Sequence, residues 1–239
     1  MHRLPIERIS YIHKTLSKGI GMRQSSWWIK LSLLAVFLYS GEGSAWNSGS
    51  PTQQEIGMLP PYCQAQMHTD SQHVIPKSEQ QRRNEHRHWQ SIVGDGYGHV
   101  HHYCWGLNYI NRYYRDFRAK DREGYLTAAI NDFTYTITRV PNTFPLLPEM
   151  LTTRGKTFAM MQKPGDAFKD LRKALQLKPK YERAYIVLAD LYEKAGQQDA
   201  AKEVIQLGLR YIPNSKLLLK RSKAVGSTST QPKNGERPK

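Results

Sequence analysis

Cysteine is nearly missing: the 239 residues hold two, Cys63 and Cys104. That count excludes a small disulfide-built scaffold. It leaves no CxxC pair for a thiolate zinc site and no CxxCH for covalent haem. Other catalytic signatures are missing too. The chain has no HExxH helix, no G-x-S-x-G turn and no G-x-x-x-x-G-K-[ST] loop. Gly94-Asp95-Gly96-Tyr97-Gly98 is glycine-rich, but no Lys-Ser/Thr follows it to hold a phosphate. Acidic residues are few, 20 against 35 Lys and Arg, and the carboxylates fall mostly at solvent positions of the expected helices. No nucleophile with its base can be assembled, so neither an enzyme nor a cofactor is expected. Hydrophobic residues reach 39%, enough for a core along part of the chain.

What is present begins with charge. The formal net charge is +15 and the pI about 9.8, which favours acidic partners. Residues 31–39, LSLLAVFLY, form a short apolar run broken once, by Ser32. Arg23 and Lys30 precede it and Gly43-Ser44-Ala45 follows. Positive, apolar, then small is the order of a secretory signal. The run is shorter than the roughly 20 residues a spanning helix needs. A signal peptide over 1–45 is therefore expected, with cleavage near Ala45 and Met22 as the start of the shorter form. The alternative is an inner-membrane anchor over 27–45. No cysteine follows the run to carry a lipid anchor. The resulting location is periplasmic or secreted.

Beyond the signal, 46–98 reads as a partly irregular extension. It opens on a Gly, Ser, Pro, Thr and Gln lead-in and contains one polar helical stretch near 78–92. From 99 to 215 apolar residues recur at helical spacing. Two segments, Pro148–Pro179 and Glu182–Pro213, align at an offset of 34. Leu151 pairs with Tyr185, Gly155 with Ala189 and Phe158 with Tyr192. In the second halves Ala167 pairs with Ala201, Leu171 with Ile205 and Ala174 with Gly208. Small residues at these places let two helices approach, and large ones at i, i+3, i+4 and i+7 fill the space between.

The pattern resembles the tetratricopeptide repeat, a helix–turn–helix unit of 34 residues. Tyr185, Leu188, Ala189 and Tyr192 fit its first helix, Gly196 its turn, and Ala201, Ile205 and Gly208 its second helix. The first copy departs at Arg154, where the pattern prefers leucine, and its turn carries Pro164-Gly165-Asp166. A degenerate third unit is read upstream, with one helix over 102–117 and another through Ala129, Phe133 and Ile137. The resemblance implies an all-α, short helical-repeat array over 99–215. Residues 216–239, polar and basic, are expected to be disordered.

Seven histidines precede Tyr103 after the signal: His68, His73, His86, His88, His99, His101 and His102. The region 86–104 leaves a metal- or ligand-binding envelope protein as the alternative function, although His86-Arg87-His88 is not helical ligand spacing. In an exported protein Cys63 and Cys104 are expected to pair, tying the extension to the first helix as a cap.

By the resemblance, the first helix of each repeat lines a concave groove. Glu149, Thr152, Lys156 and Met160 would face it from one copy. Arg183, Ile186, Asp190, Glu193 and Lys194 would face it from the next. Relatives that clamp a C-terminal carboxylate use paired Lys and Asn; Ile186 and Asp190 stand at such places here. The expected function is a non-catalytic adaptor or scaffold of the cell envelope, holding a peptide or helix of another envelope protein. The basic tail suits anionic lipid or polysaccharide, and the export signal argues against nucleic acid.

Overall fold

The computed structural model describes residues 49–67 and 78–228. The expected signal, His68, His73 and the chain from 229 onward lie outside the described residues. Within them every regular element is helical and no strand occurs.

Two short helices open the fold: α1 (Gln53–Gly57), started by a Thr52/Glu55 capping box, and α2 (Pro61–Gln64). The helix α3 (Glu79–Val93) starts on a second capping box, Ser78 with Gln81, and ends at Gly94, where φ is +90°. A 3₁₀ turn (Asp95–His99) leads directly into α4 (Val100–Arg115). Three helix pairs follow. The helix α4 packs on α5 (Glu123–Ile137), α6 (Leu147–Met160) on α7 (Pro164–Leu177), and α8 (Glu182–Lys194) on α9 (Gln198–Tyr211). The Thr134–Thr138 stretch, despite its alternating pattern, is helical up to Ile137 because Ala129 and Phe133 are buried one turn apart.

Close approach is built from small residues. A Cβ on Gly155 would stand 3.2 Å from the Ala167 carbonyl, and one on Gly208 would stand 2.9 Å from the Tyr185 ring. The degenerate pair uses the same device at Gly106, where a Cβ would meet Phe133 at 2.3 Å. Leu171, Leu175, Leu188, Ile205, Tyr185 and Tyr192 fill the seam and are almost wholly buried.

The two inner turns differ in one informative way. Gly196 has φ +73° and Gln162, 34 residues earlier, has φ +59°. Both end a first helix in the left-handed region, and Pro164-Gly165-Asp166 is the first turn of α7 rather than the break itself. Glycine enters that region freely, whereas a side chain is strained there. Gln162→Gly is therefore expected to stabilise the fold by about 0.5–1 kcal/mol, offset in part by the freedom glycine gains when unfolded. A melting curve should move up by about 2 °C.

Arg154 explains its own departure from the pattern. Its guanidinium donates two hydrogen bonds to Asp170, at 2.7 and 2.8 Å, and a third to Thr134 Oγ1 at 3.0 Å. In the next repeat the same two places hold Leu188 and Val204, both buried. An apolar pair in one repeat is an ion pair in the other.

One expectation fails. Residues 216–228 are not disordered but form α10 (Lys216–Thr228). Ser215 caps its start by accepting the Leu218 N–H at 3.1 Å, and Leu218 is fully buried against the array. The basic composition hid the one apolar residue that anchors the helix.

Candidate binding groove

The first helices of the pairs, α4, α6 and α8, run side by side and leave a groove. It holds two hollows. The first, about 500 Å³, is lined by Leu107 and Ile110 of α4, Lys156 and Met160 of α6, and Ile186 and Val187 of α8, among others. The second, about 670 Å³, is lined by Tyr113, Tyr114, Met160, Phe168, Leu191 and Lys194, among others. Met160 borders both, and the Tyr114 hydroxyl donates to its sulfur at 3.5 Å.

Six of the nine residues expected to face a groove line the first hollow: Glu149, Thr152, Lys156, Met160, Arg183 and Ile186. Lys194 lines the second. Asp190 and Glu193 line neither. Both carboxylates accept from Arg221 of α10, a helix the sequence pattern concealed. Thr152 is turned inward and 5% exposed, with its hydroxyl donated to the Pro148 carbonyl at 2.8 Å. It forms wall rather than a polar contact.

Glu149 is also engaged within the chain. Its Oε1 accepts the Tyr62 hydroxyl at 2.6 Å and the Tyr103 hydroxyl at 3.1 Å. Burial, and then the Glu149 charge, hold both phenols well above their ordinary range, so they stay protonated donors. Lys156 and Arg183 remain exposed on the hollow. The groove is thus apolar in its walls and basic at its mouth.

The N-terminal segment belongs to this site. Met58, Leu59 and Pro60 line the first hollow, as does Leu217 of α10. Sequence reasoning missed all four, since the repeat pattern covers none of them. The segment is fastened in two ways. Cys63 and Cys104 form a disulfide, both sulfurs buried, with Cα atoms 5.4 Å apart. Glu55, 2% exposed, takes two hydrogen bonds from Arg112 at 2.7 and 3.0 Å and one from Arg115 at 2.6 Å.

The hydrogen bonds from Arg112 hold the Glu55 carboxyl at about 2, below its ordinary 4.5, against the opposing effect of burial. A lowered folded value means the stabilisation is complete above pH 4.5 and is lost as pH falls toward 2. The drop corresponds to about 3 kcal/mol at most. Acid titration followed by hydrogen exchange should show 53–67 losing protection in that window, and Glu55→Gln should remove most of the pH dependence there.

Two histidines beside Cys104 are engaged within the chain. His102 Nδ1 bonds Asp132 at 2.7 Å, His101 Nδ1 bonds the Gly98 carbonyl at 2.8 Å, and Cys104 is committed to its disulfide. Among the described residues no three His, Cys, Asp or Glu side chains group closely enough to hold a metal ion. No helix among them is long and apolar enough to cross a membrane.

Residues 159–224 match the tetratricopeptide repeat family model. These residues are tetratricopeptide repeat sequence. The matched stretch ends within α10, at residue 224, and so takes in the part of that helix which composition had set aside. No curated protein sequence matches the chain. Among solved structures, the first TPR of Spaghetti (RPAP3) bound to an HSP90 peptide is 18% identical, with a TM-score of 0.38 over 53% of this chain and 96% of that one. The second TPR domain of human RPAP3 in complex with an HSP70 peptide is 20% identical, with a TM-score of 0.36 over 51% and 94%. A thermophilic TPR protein of Thermus thermophilus is 21% identical, with a TM-score of 0.47 over 60% and 71%.

Proposed function

We propose that this tetratricopeptide repeat chain is a non-catalytic adaptor of the cell envelope that holds a segment of another envelope protein in its groove. The observation that carries the reading is the convergence of Lys156, Met160, Arg183 and Ile186 on one open, apolar-walled hollow. Such a surface suits a peptide or a short helix, whose apolar side chains enter while the rim stays polar.

Export rests on the sequence order at 23–45 and is supported by the buried Cys63–Cys104 bond. Disulfides persist in oxidising compartments and are rare in the cytosol. The exposed Lys216, Lys220 and Lys223 of α10 add a basic surface suited to anionic lipid or polysaccharide.

The test is retention of an envelope partner by the whole oxidised chain, compared with Ile186→Glu and Lys156→Glu. Each variant is expected to lose at least tenfold of the bound partner while its helical spectrum is unchanged. Equal retention of the same partner by both variants would remove the groove from consideration. Cell fractionation and the mass of the mature N-terminus check export: a cytosolic chain beginning at residue 1 or 22 would refute it.

A further inference from the structure

The turn between α4 and α5 carries the most exposed large apolar side chain among the described residues. Phe117 is 62% exposed, and Tyr114, in the last turn of α4, is 55% exposed. Aromatic rings gathered at one tip, outside the core, mark a surface that meets something else. Cations frame it. The Arg118 guanidinium stands 5.2 Å from the centre of the Phe117 ring, and that of Arg122 stands 4.6 Å from the centre of the Tyr113 ring. Arg115 pairs with Asp116, and Arg122 lies 3.7 Å from Glu123. Among the described residues no carboxylate pairs with Arg118 or Lys120, and both are exposed. Asp121 offsets one of these two charges, so the Phe117 ring carries most of the contact and the cations add to it.

The described chain begins at the same end of the fold. The Gly49 carbonyl accepts a hydrogen bond from Arg112 at 3.1 Å, and Arg112 stands in the last turn of α4. The Glu55 carboxylate joins Arg112 to Arg115 beside it. The chain before Gly49 therefore leads off from the end of α4 that carries Phe117. The apolar run 31–39 closes ten residues before Gly49, and ten residues span at most about 35 Å. Trp46 precedes Gly49 by three residues, a reach of at most about 11 Å. We propose that the α4–α5 turn is a membrane contact. Phe117 enters the boundary between headgroups and acyl chains of an anionic phospholipid bilayer, and Arg118 and Lys120 meet the lipid phosphates. Aromatic bodies settle at that boundary, and long cationic side chains reach from it to the charged surface. One such contact is marginal and reversible, whereas two together hold. The second comes from the leading segment: the apolar run where it is kept, Trp46 where it is cut near Ala45. The contact is separate from the groove and from the lysines of α10, and depends on neither.

The experiment places the photoreactive residue benzoyl-phenylalanine at position 117 or at position 92 of the whole oxidised chain. Each protein is mixed with vesicles of phosphatidylethanolamine and phosphatidylglycerol and illuminated. Ile92 is also exposed, but it sits beside the start of α4, and the 16 residues of that helix set the two positions about 24 Å apart. Mass spectrometry should find lipid adducts at position 117 at least tenfold above those at position 92. Adding Arg118→Glu with Lys120→Glu should lower the adducts at 117 about fivefold, while Lys216→Glu with Lys220→Glu should leave them within twofold. Melting curves should match throughout, because every changed side chain is exposed. Equal adducts at both positions, or none at 117, would overturn the contact. So would their loss in the α10 variant, which would give the bilayer to that helix instead. Adducts unchanged by the Glu pair at 118 and 120 would overturn the part assigned to the cations. In native envelope membranes, adducts at 117 to a protein in place of lipid would overturn the bilayer as occupant.

Discussion

Removing the disulfide with Cys63→Ala and Cys104→Ala is expected to lower stability by about 4 kcal/mol. The bond closes a loop of 41 residues, and the loop-entropy relation gives that size for such a closure. Alanine avoids placing two hydroxyls at sites with no exposure. Melting should fall by about 10 °C. The loss should not be uniform. Residues 53–67 hold to the array through this bond, the Glu55 contacts and the Tyr62–Glu149 hydrogen bond. Without the bond they should open before α6–α9 do, visible as early loss of hydrogen-exchange protection over 53–67. A variant that melts within 2 °C of native, or loses protection evenly, would show that the cap needs no covalent tie.

The second large effect concerns the ion pair between α6 and α7. Asp170→Val is expected to cost about 3 kcal/mol, because it strands a guanidinium whose side chain is 15% exposed, leaving it a neutral hydroxyl and the Phe158 ring 5.7 Å away. Arg154→Leu strands the carboxylate in the same way. The double change, Arg154→Leu with Asp170→Val, reproduces the Leu188–Val204 pair of the next repeat and should stand well above either single variant. Chemical denaturation of the four proteins reads the coupling directly. Additive losses in the double variant would mean that the two charges act independently.

The pair also shows where pattern reading stops. Arg154 is visible as a misfit to the repeat. Its partner Asp170 lies 16 residues away and departs from Val204 at the same offset, so the signal existed in the aligned copies. It was not readable from Arg154 alone, since helix periodicity tells which face a residue takes but not what charge it meets there. Helix α10 was hidden for a related reason. Lys216, Lys220, Arg221 and Lys223 dominate its composition, while its docking rests on Leu218 and on the Ser215 cap after Pro213. Asp190 and Glu193 then changed their surroundings, because the unforeseen helix brought Arg221 to them.

The histidines illustrate the opposite case. His86-Arg87-His88 offers no helical ligand spacing, and the fold directs His101 to a backbone carbonyl and His102 to Asp132. Cys104, their neighbour in sequence, is bonded to Cys63.

The sequence by itself determined the helices of the repeat units, their pairing at a 34-residue step and the small residues on which they touch. These are local or nearest-neighbour properties, written in the spacing of apolar side chains. Only the tertiary structure decided what encloses the groove. The wall at Met58, Leu59 and Pro60, the buried Glu55–Arg112 contact and the border at Leu217 join parts of the chain that no period relates. Such contacts depend on which surfaces the finished array leaves uncovered, and a repeat pattern describes each unit only against the next.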